Sequence, residues 1–164
     1  MLGTKYFSEF DKGLLYSLLN DSYLKFPELS AACHETWKEF DSFVFDNLSF
    51  MDHCGFVSVL NETPIGFMSW DPRNSPVSVQ VGHNCIINEY KGKGYGRSQL
   101  SIGMNIIKSR KPERIIVKTG NINFFIPAQR MYCSAGFIQK QISFNNDPLV
   151  PELIEYEMIV DGIK

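Results

Sequence analysis

The chain has 164 residues, 44% of them apolar and 21% charged, with 13 Phe and 7 Tyr. That is the composition of a soluble globular chain, and its length suits one domain whose core needs no metal or disulfide staple. It excludes a disordered chain, and no apolar run approaches the roughly 18 residues of a membrane helix. The first residues carry no basic-then-apolar leader, and Gly stands at position 3 rather than 2, so the expected compartment is the cytoplasm, with no membrane partner.

Two helical patterns come first. Leu14, Leu15, Leu18, Leu19 and Ser22 fall at helical spacing within 12–25, and Pro27 is expected to break that helix. A second helix is expected over about 33–48, with Trp37, Phe40, Val44 and Leu48 on one face. Strands then follow at 54–60 and 65–70, joined by a turn at 61–64, so the pair reads as a hairpin. A long strand is expected over 77–87. It alternates Val77, Val79, Val81, His83, Cys85 and Ile87 against Ser78, Gln80, Gly82, Asn84 and Ile86.

Lys91-Gly92-Lys93-Gly94-Tyr95-Gly96 follows this strand, and a helix is expected from near Arg97 to Lys111-Pro112. Its inner stripe is Leu100, Gly103, Met104 and Ile107, widened by Ile102 and Ile106. A β-branched strand is expected at 114–119, and a helix between Pro127 and Gly136. Closing strands are expected at 137–144 and 153–160. The order is about β-α-α-β-β-β-α-β-α-β-β, an α/β (α+β) domain with a mixed sheet.

The net charge of −2 hides an asymmetry. Residues 1–90 hold 5 Lys or Arg against 12 Asp or Glu, whereas residues 91–118 hold 8 against the single Glu113. Such a positive window attracts a multiply charged anion, although a charge run alone also reads as a solvated face. The four cysteines, at 33, 54, 85 and 133, lack metal or redox spacing and read as reduced packing residues. No metal site is expected.

The glycine-rich turn lies inside the positive window. Glycines permit positive φ and close backbone approach, successive N–H groups can face one point, and the following helix adds partial positive charge. A strand before, a helix after and basic flanks make this a phosphate site. The Gly-x-x-x-x-Gly-Lys-Ser/Thr pattern of a P-loop does not occur, and neither Gly92 nor Gly94 opens a Gly-x-Gly-x-x-Gly fingerprint. Lys93-Gly94-Tyr95-Gly96 matches the start of an RNA-recognition strand, but Arg97, Ser98 and Leu100 then leave its stacking platform incomplete.

The segment from Ile86 through Asn88-Glu89-Tyr90-Lys91-Gly92-Lys93-Gly94-Tyr95-Gly96-Arg97 resembles the acetyl-CoA-binding motif of the GCN5-related N-acetyltransferase (GNAT) superfamily, Gln/Arg-x-x-Gly-x-Gly/Ala after a strand, with Lys91 in the Gln/Arg place. Ala128-x-x-Met131-Tyr132-x-x-x-Gly136-Phe137 resembles a second segment of that family. The resemblance covers about 54–160. It implies a single domain over 1–164, with a mixed, mostly antiparallel sheet flanked by helices.

It also implies roles. The amides of Lys91, Gly92, Lys93, Gly94, Tyr95, Gly96 and Arg97 would hold the CoA pyrophosphate. The main chain of Asn84, Cys85, Ile86 and Ile87 would pair with pantetheine and steady the oxyanion. Tyr132 would protonate the leaving thiolate. The family's Asn before the second motif is replaced by Phe125, which leaves Asn121 and Asn123 nearby, and Asn123 is taken as a cofactor contact. Gln80 stands where several members carry a glutamate base, so His83 is the base candidate, beside a core or surface role for the same residue. The implied activity is transfer of acetyl from acetyl-CoA to a small-molecule or peptide amine by direct attack, and a homodimer is compatible with it. The rival reading is a non-catalytic CoA-sensing or RNA-binding domain.

Overall fold

The computed structural model describes residues 1–161. Seven strands form one sheet in the order β1-β2-β3-β4-β5-β7-β6. They are β1 (Gly3–Lys5), β2 (Gly55–Leu60), β3 (Thr63–Asp71), β4 (Ser78–Ile86), β5 (Arg114–Gly120), β6 (Ile138–Phe144) and β7 (Glu152–Ile159). The β1–β2, β2–β3, β5–β7 and β6–β7 pairs are antiparallel. The β4–β5 pair is parallel, and its ladder joins Ser78, Val79 and Gln80 to Arg114, Ile115 and Ile116. The helices are α1 (Leu14–Ser22), α2 (Pro27–Asp46), α3 (Leu48–Met51), α4 (Tyr95–Ser109) and α5 (Ile126–Ser134). This is the mixed, mostly antiparallel α/β arrangement expected.

The chain divides into two compact units. The first joins 1–69 to 83–103. Its core gathers Phe7, Leu15, Leu19, Trp37, Val44 and Phe67, and each such burial is worth roughly 1.5–3 kcal/mol. Pro27 opens a helix here instead of breaking one. Helix α1 has already ended at Ser22, whose hydroxyl donates to the Leu19 carbonyl at 2.8 Å. Pro27 then takes the first helical position, where a missing N–H is harmless and φ is preset. Helix α2 therefore starts six residues earlier than the periodicity suggests. Its buried Asp41 caps α1 from a distance, accepting from the Gly13 N–H at 2.7 Å and the Tyr16 N–H at 3.1 Å. Those amides have no intrahelical acceptor of their own.

The second unit takes Trp70–Gly82 and the chain from Met104 onward. Ile115 and Val117 of β5 and Ile154 and Tyr156 of β7 are buried in it. The Arg110 guanidinium lies 5.7 Å from the centre of the Trp70 ring. Strand β6, next to β7 at one end of the strand order, is exposed along its whole length. The expected stripe of α4 holds, with Leu100, Met104 and Ile107 buried. Among the described residues the cysteines form no disulfide, no group of three His, Cys, Asp or Glu could hold a metal ion, and no helix is long and apolar enough to cross a membrane.

Candidate functional site

Strand β4 ends at Ile86, and a single 3₁₀ turn at Asn88–Tyr90 leads into the glycine turn. Gly92 and Gly94 both have positive φ, +73° and +88°, and a Cβ at either would meet nothing within 4 Å. Their backbone faces open space in a conformation that L side chains rarely adopt. Helix α4 starts at Tyr95, two residues earlier than expected, and the Gly94 carbonyl accepts its first helical bond, from the Ser98 N–H at 3.2 Å. The amides of Tyr95, Gly96 and Arg97 are thus the unshared donors of a helix N-terminus. Gly96 is helical and has no positive φ.

The turn's cations differ in what they do. The Lys93 ammonium lies 5.3 Å from the centre of the Tyr90 ring, and Arg97 is exposed. Lys91 does not simply add to the anion field. Its ammonium donates to the Ser22 carbonyl at the end of α1, and desolvation lowers its pKa, with Lys25 pushing the same way. Beside it, the Asn88 N–H donates to the Asp21 carboxylate at 2.7 Å. The turn is tied to α1 by these two links. Elsewhere in the positive window, Arg114 sits 3.6 Å from Glu157 and Lys118 4.0 Å from Glu155. The window is therefore not one anion site.

Placing Tyr95 and Gly96 in a helix removes the RNA-recognition reading, which needs Lys93–Gly96 in a strand with its aromatics on a sheet face.

The backbone of Asn84–Ile87 continues β4, with the Ile87 N–H donating to Ile65 at 2.8 Å. Cys85 is buried, and burial pushes its thiol up to about 12 despite hydrogen bonds from Phe67 and Ser22. It is a packing residue rather than a nucleophile. His83 lies against Phe40 and Phe67, with ring centres 4.5 and 6.0 Å away. Burial lowers its pKa to about 4, so the imidazole is uncharged at neutral pH. Sequence reasoning missed Gln99, which is fully buried on α4 and donates to three acceptors on β3 and β4.

In the second unit Tyr132 is 4% exposed. Its ring meets Phe137 edge-on at 5.6 Å and lies tilted 6.4 Å from Tyr156. Its carbonyl accepts from the Phe137 N–H at the end of α5. Asn123 is exposed in a 3₁₀ turn, while the Asn121 side chain donates to Glu152 at 2.8 Å. Phe125 fills the space over Gly120, where a Cβ would come within 2.7 Å of its ring.

No protein-family model and no curated protein sequence matches the chain. Solved structures do. A protein from Desulfovibrio desulfuricans described as a GNAT-family acetyltransferase aligns at TM-score 0.77 and 13% identity, covering 98% of this chain and 99% of that one. The ribosomal-protein-S18-alanine N-acetyltransferase of Escherichia coli aligns at TM-score 0.74 and 13% identity, covering 100% and 97%. A GNAT-family acetyltransferase from Elizabethkingia anophelis with acetyl-CoA bound aligns at TM-score 0.60 and 16% identity, covering 72% and 82%. The chain has the fold of the GNAT-family acetyltransferases.

Proposed function

We propose that the chain is a cytoplasmic GNAT-type N-acetyltransferase that moves the acetyl group of acetyl-CoA to an amine within a ternary complex. The observation that carries this reading is the glycine turn. Two positive-φ glycines face open space between a strand and a helix N-terminus, within a fold whose solved examples include one with acetyl-CoA bound. Such a turn suits a pyrophosphate, because its open glycine backbone stands beside the amides of a helix N-terminus.

Acetyl-CoA supplies the activated acyl group, and the remaining work falls to the chain. The Lys91 amide, expected to join them, donates instead to the Asn88 carbonyl at 3.3 Å, so the amides from Gly92 to Arg97 hold the pyrophosphate, and Lys93 and Arg97 add countercharge. The main chain of Asn84–Ile87 aligns the pantetheine arm and donates to the oxygen that gains charge. Tyr132 gives its phenolic proton to the departing sulfur, which a thiolate leaving near neutral pH requires. His83 is the base candidate. Kept neutral by its apolar neighbours, it holds a proton only transiently and must pass it to solvent.

The acceptor is a small-molecule or peptide amine. The acidic balance of residues 1–90 favours a cationic one, and two neighbours of this fold are named for peptide or protein work, one acting on an S18 alanine and one solved with a Gag peptide. Gln80, standing where a glutamate base would be, supports a second reading in which the chain senses CoA without chemistry.

Two measurements test the proposal. Calorimetry should show CoA binding that Gly94→Val weakens by about 2 kcal/mol in a folded protein, through the strained φ and the new Cβ in the phosphate path. A screen of amines with acetyl-CoA should release free thiol. Binding without release for any amine would favour the sensor, and no binding would end both readings.

A further inference from the structure

Gln99 has no place in the scheme above, and its surroundings are unusual. It is 0% exposed on the apolar stripe of α4, beside Leu100. Its Nε2 donates to the Asn84 Oδ1 at 2.7 Å, the Phe67 carbonyl at 3.0 Å and the Cys85 carbonyl at 3.1 Å. A primary amide has two N–H groups, so three acceptors share them. The flipped amide would set its oxygen against all three, so the network fixes the orientation. The Oε1 has no hydrogen-bond partner among the described residues. A buried acceptor left so costs about 1–3 kcal/mol, set against the three contacts that the Nε2 makes.

Gly66 on β3 makes room for the network. A Cβ there would lie 2.2 Å from the Cys85 carbonyl oxygen and 3.1 Å from the Gln99 Oε1. One nitrogen thus holds a carbonyl from each of two adjacent strands and an Asn side chain as well. The peptide joining Cys85 to Ile86 is planar and trans, so the Ile86 N–H points opposite to the Cys85 carbonyl. With that carbonyl drawn to Gln99, the Ile86 N–H is turned away from Gln99. This peptide lies within the 84–87 segment assigned to the thioester.

We propose that Gln99 is a positioning residue for acetyl transfer, in which its carboxamide fixes the Cys85–Ile86 peptide plane and the Asn84 side chain, and so aims the β4 main chain at the thioester. The role rests on the acetyltransferase reading. It also links the two ends of the coenzyme site, because Gln99 sits one turn into the helix that opens at the pyrophosphate turn.

The test is Gln99→Met, close in size and without the donor. It should bind 3′-phospho-ADP, the head of CoA, like the wild type. Its kcat should fall roughly 10-fold or more, with KM for acetyl-CoA within about 3-fold, as expected when only the reacting end is misaligned. Independently of turnover, amide hydrogen exchange at 84–87 should rise more than any fall in global stability explains. Unchanged kcat together with unchanged local exchange would overturn the role, as would a loss confined to melting temperature. If Gln99→Met does not fold, Gln99→Asn, one methylene short of its acceptors, carries the same readouts. A wild type that turns over no amine would sink the acetyltransferase reading, and with it the catalytic part of the Gln99 role. The exchange comparison would still decide whether Gln99 holds the peptide.

Discussion

The glycine turn and helix α5 carry the two motif matches, and they are built in opposite ways. The turn offers backbone. Gly92 and Gly94 hold positive φ with nothing beside them, a conformation with no packing benefit to explain it. Helix α5 offers a side chain that is already employed, since Tyr132 is buried against Phe137 and Tyr156. Open glycine backbone at a helix N-terminus suits an anionic ligand, whereas a buried tyrosine satisfies a core whether or not it also does chemistry. The turn is therefore tested by binding measurements, and Tyr132 only by kinetics.

The largest expected effect strikes the strands that lead into the glycine turn. Gly66→Ala drives a Cβ into the Cys85 carbonyl, and backbone yields little, so about 3 kcal/mol of stability should be lost in a urea titration. A near-neutral result would show β4 to be loosely held and would weaken the contrast drawn above. The motif on α5 is tested by Tyr132→Phe. If Tyr132 is the acid, kcat should fall roughly 10²-fold with KM nearly constant. If it is only a core residue, the mutant should keep its rate and lose about 1 kcal/mol of stability.

His83 gives a smaller effect, with a defined pH window. Its pKa is lowered to about 4 in the folded chain, against an ordinary value near 6.5 when unfolded. Between those values the unfolded chain binds the proton that the folded one refuses, so stability falls as pH drops through 6.5 towards 4. The group contributes nothing above that range. The loss should reach about 2 kcal/mol at pH 5, and His83→Gln should remove it in paired denaturation curves at pH 7 and 5. The smallest effect separates the cations. Lys93→Ala and Arg97→Ala should each weaken CoA binding by less than about 1 kcal/mol and flatten its salt dependence. Lys91→Ala should leave that slope alone, because its ammonium is committed to the Ser22 carbonyl.

What the sequence disclosed follows from the same contrast. Periodicity found the α4 stripe because Leu100, Met104 and Ile107 obey it, and the turn was legible because glycine and charge are conspicuous in one short segment. Gln99 was not legible. A glutamine before a leucine on a helix reads as a surface residue, and the one available signal was its position a turn before Gly103 on the buried stripe. Lys91 looked like its neighbours in the charge count, and only the fold shows that α1 ends beside it. Pro27 opens a helix although proline also stops them, and α1 has already closed at its C-cap, Tyr23. The distant cap from Asp41 has no local signature at all.

The first unit is discontinuous in the chain, and this bears on how a ribosome delivers it. Strand β1 waits for β2, since Gly3 pairs with Val59 more than fifty residues later, and the segment over Gly66 is finished only by Cys85 and Gln99. At roughly 5–20 residues per second, Phe7, Leu15 and Phe67 spend a few seconds without their full complement of neighbours. A stalled nascent chain that exposes β1–β3 but ends short of Ile86 should be cut readily by protease and should hold chaperones. One whose exposed part extends past Gln99 should resist over 1–69. Equal resistance in both would mean that β1–β3 and the first two helices fold without β4, and that the late strand only adds the site.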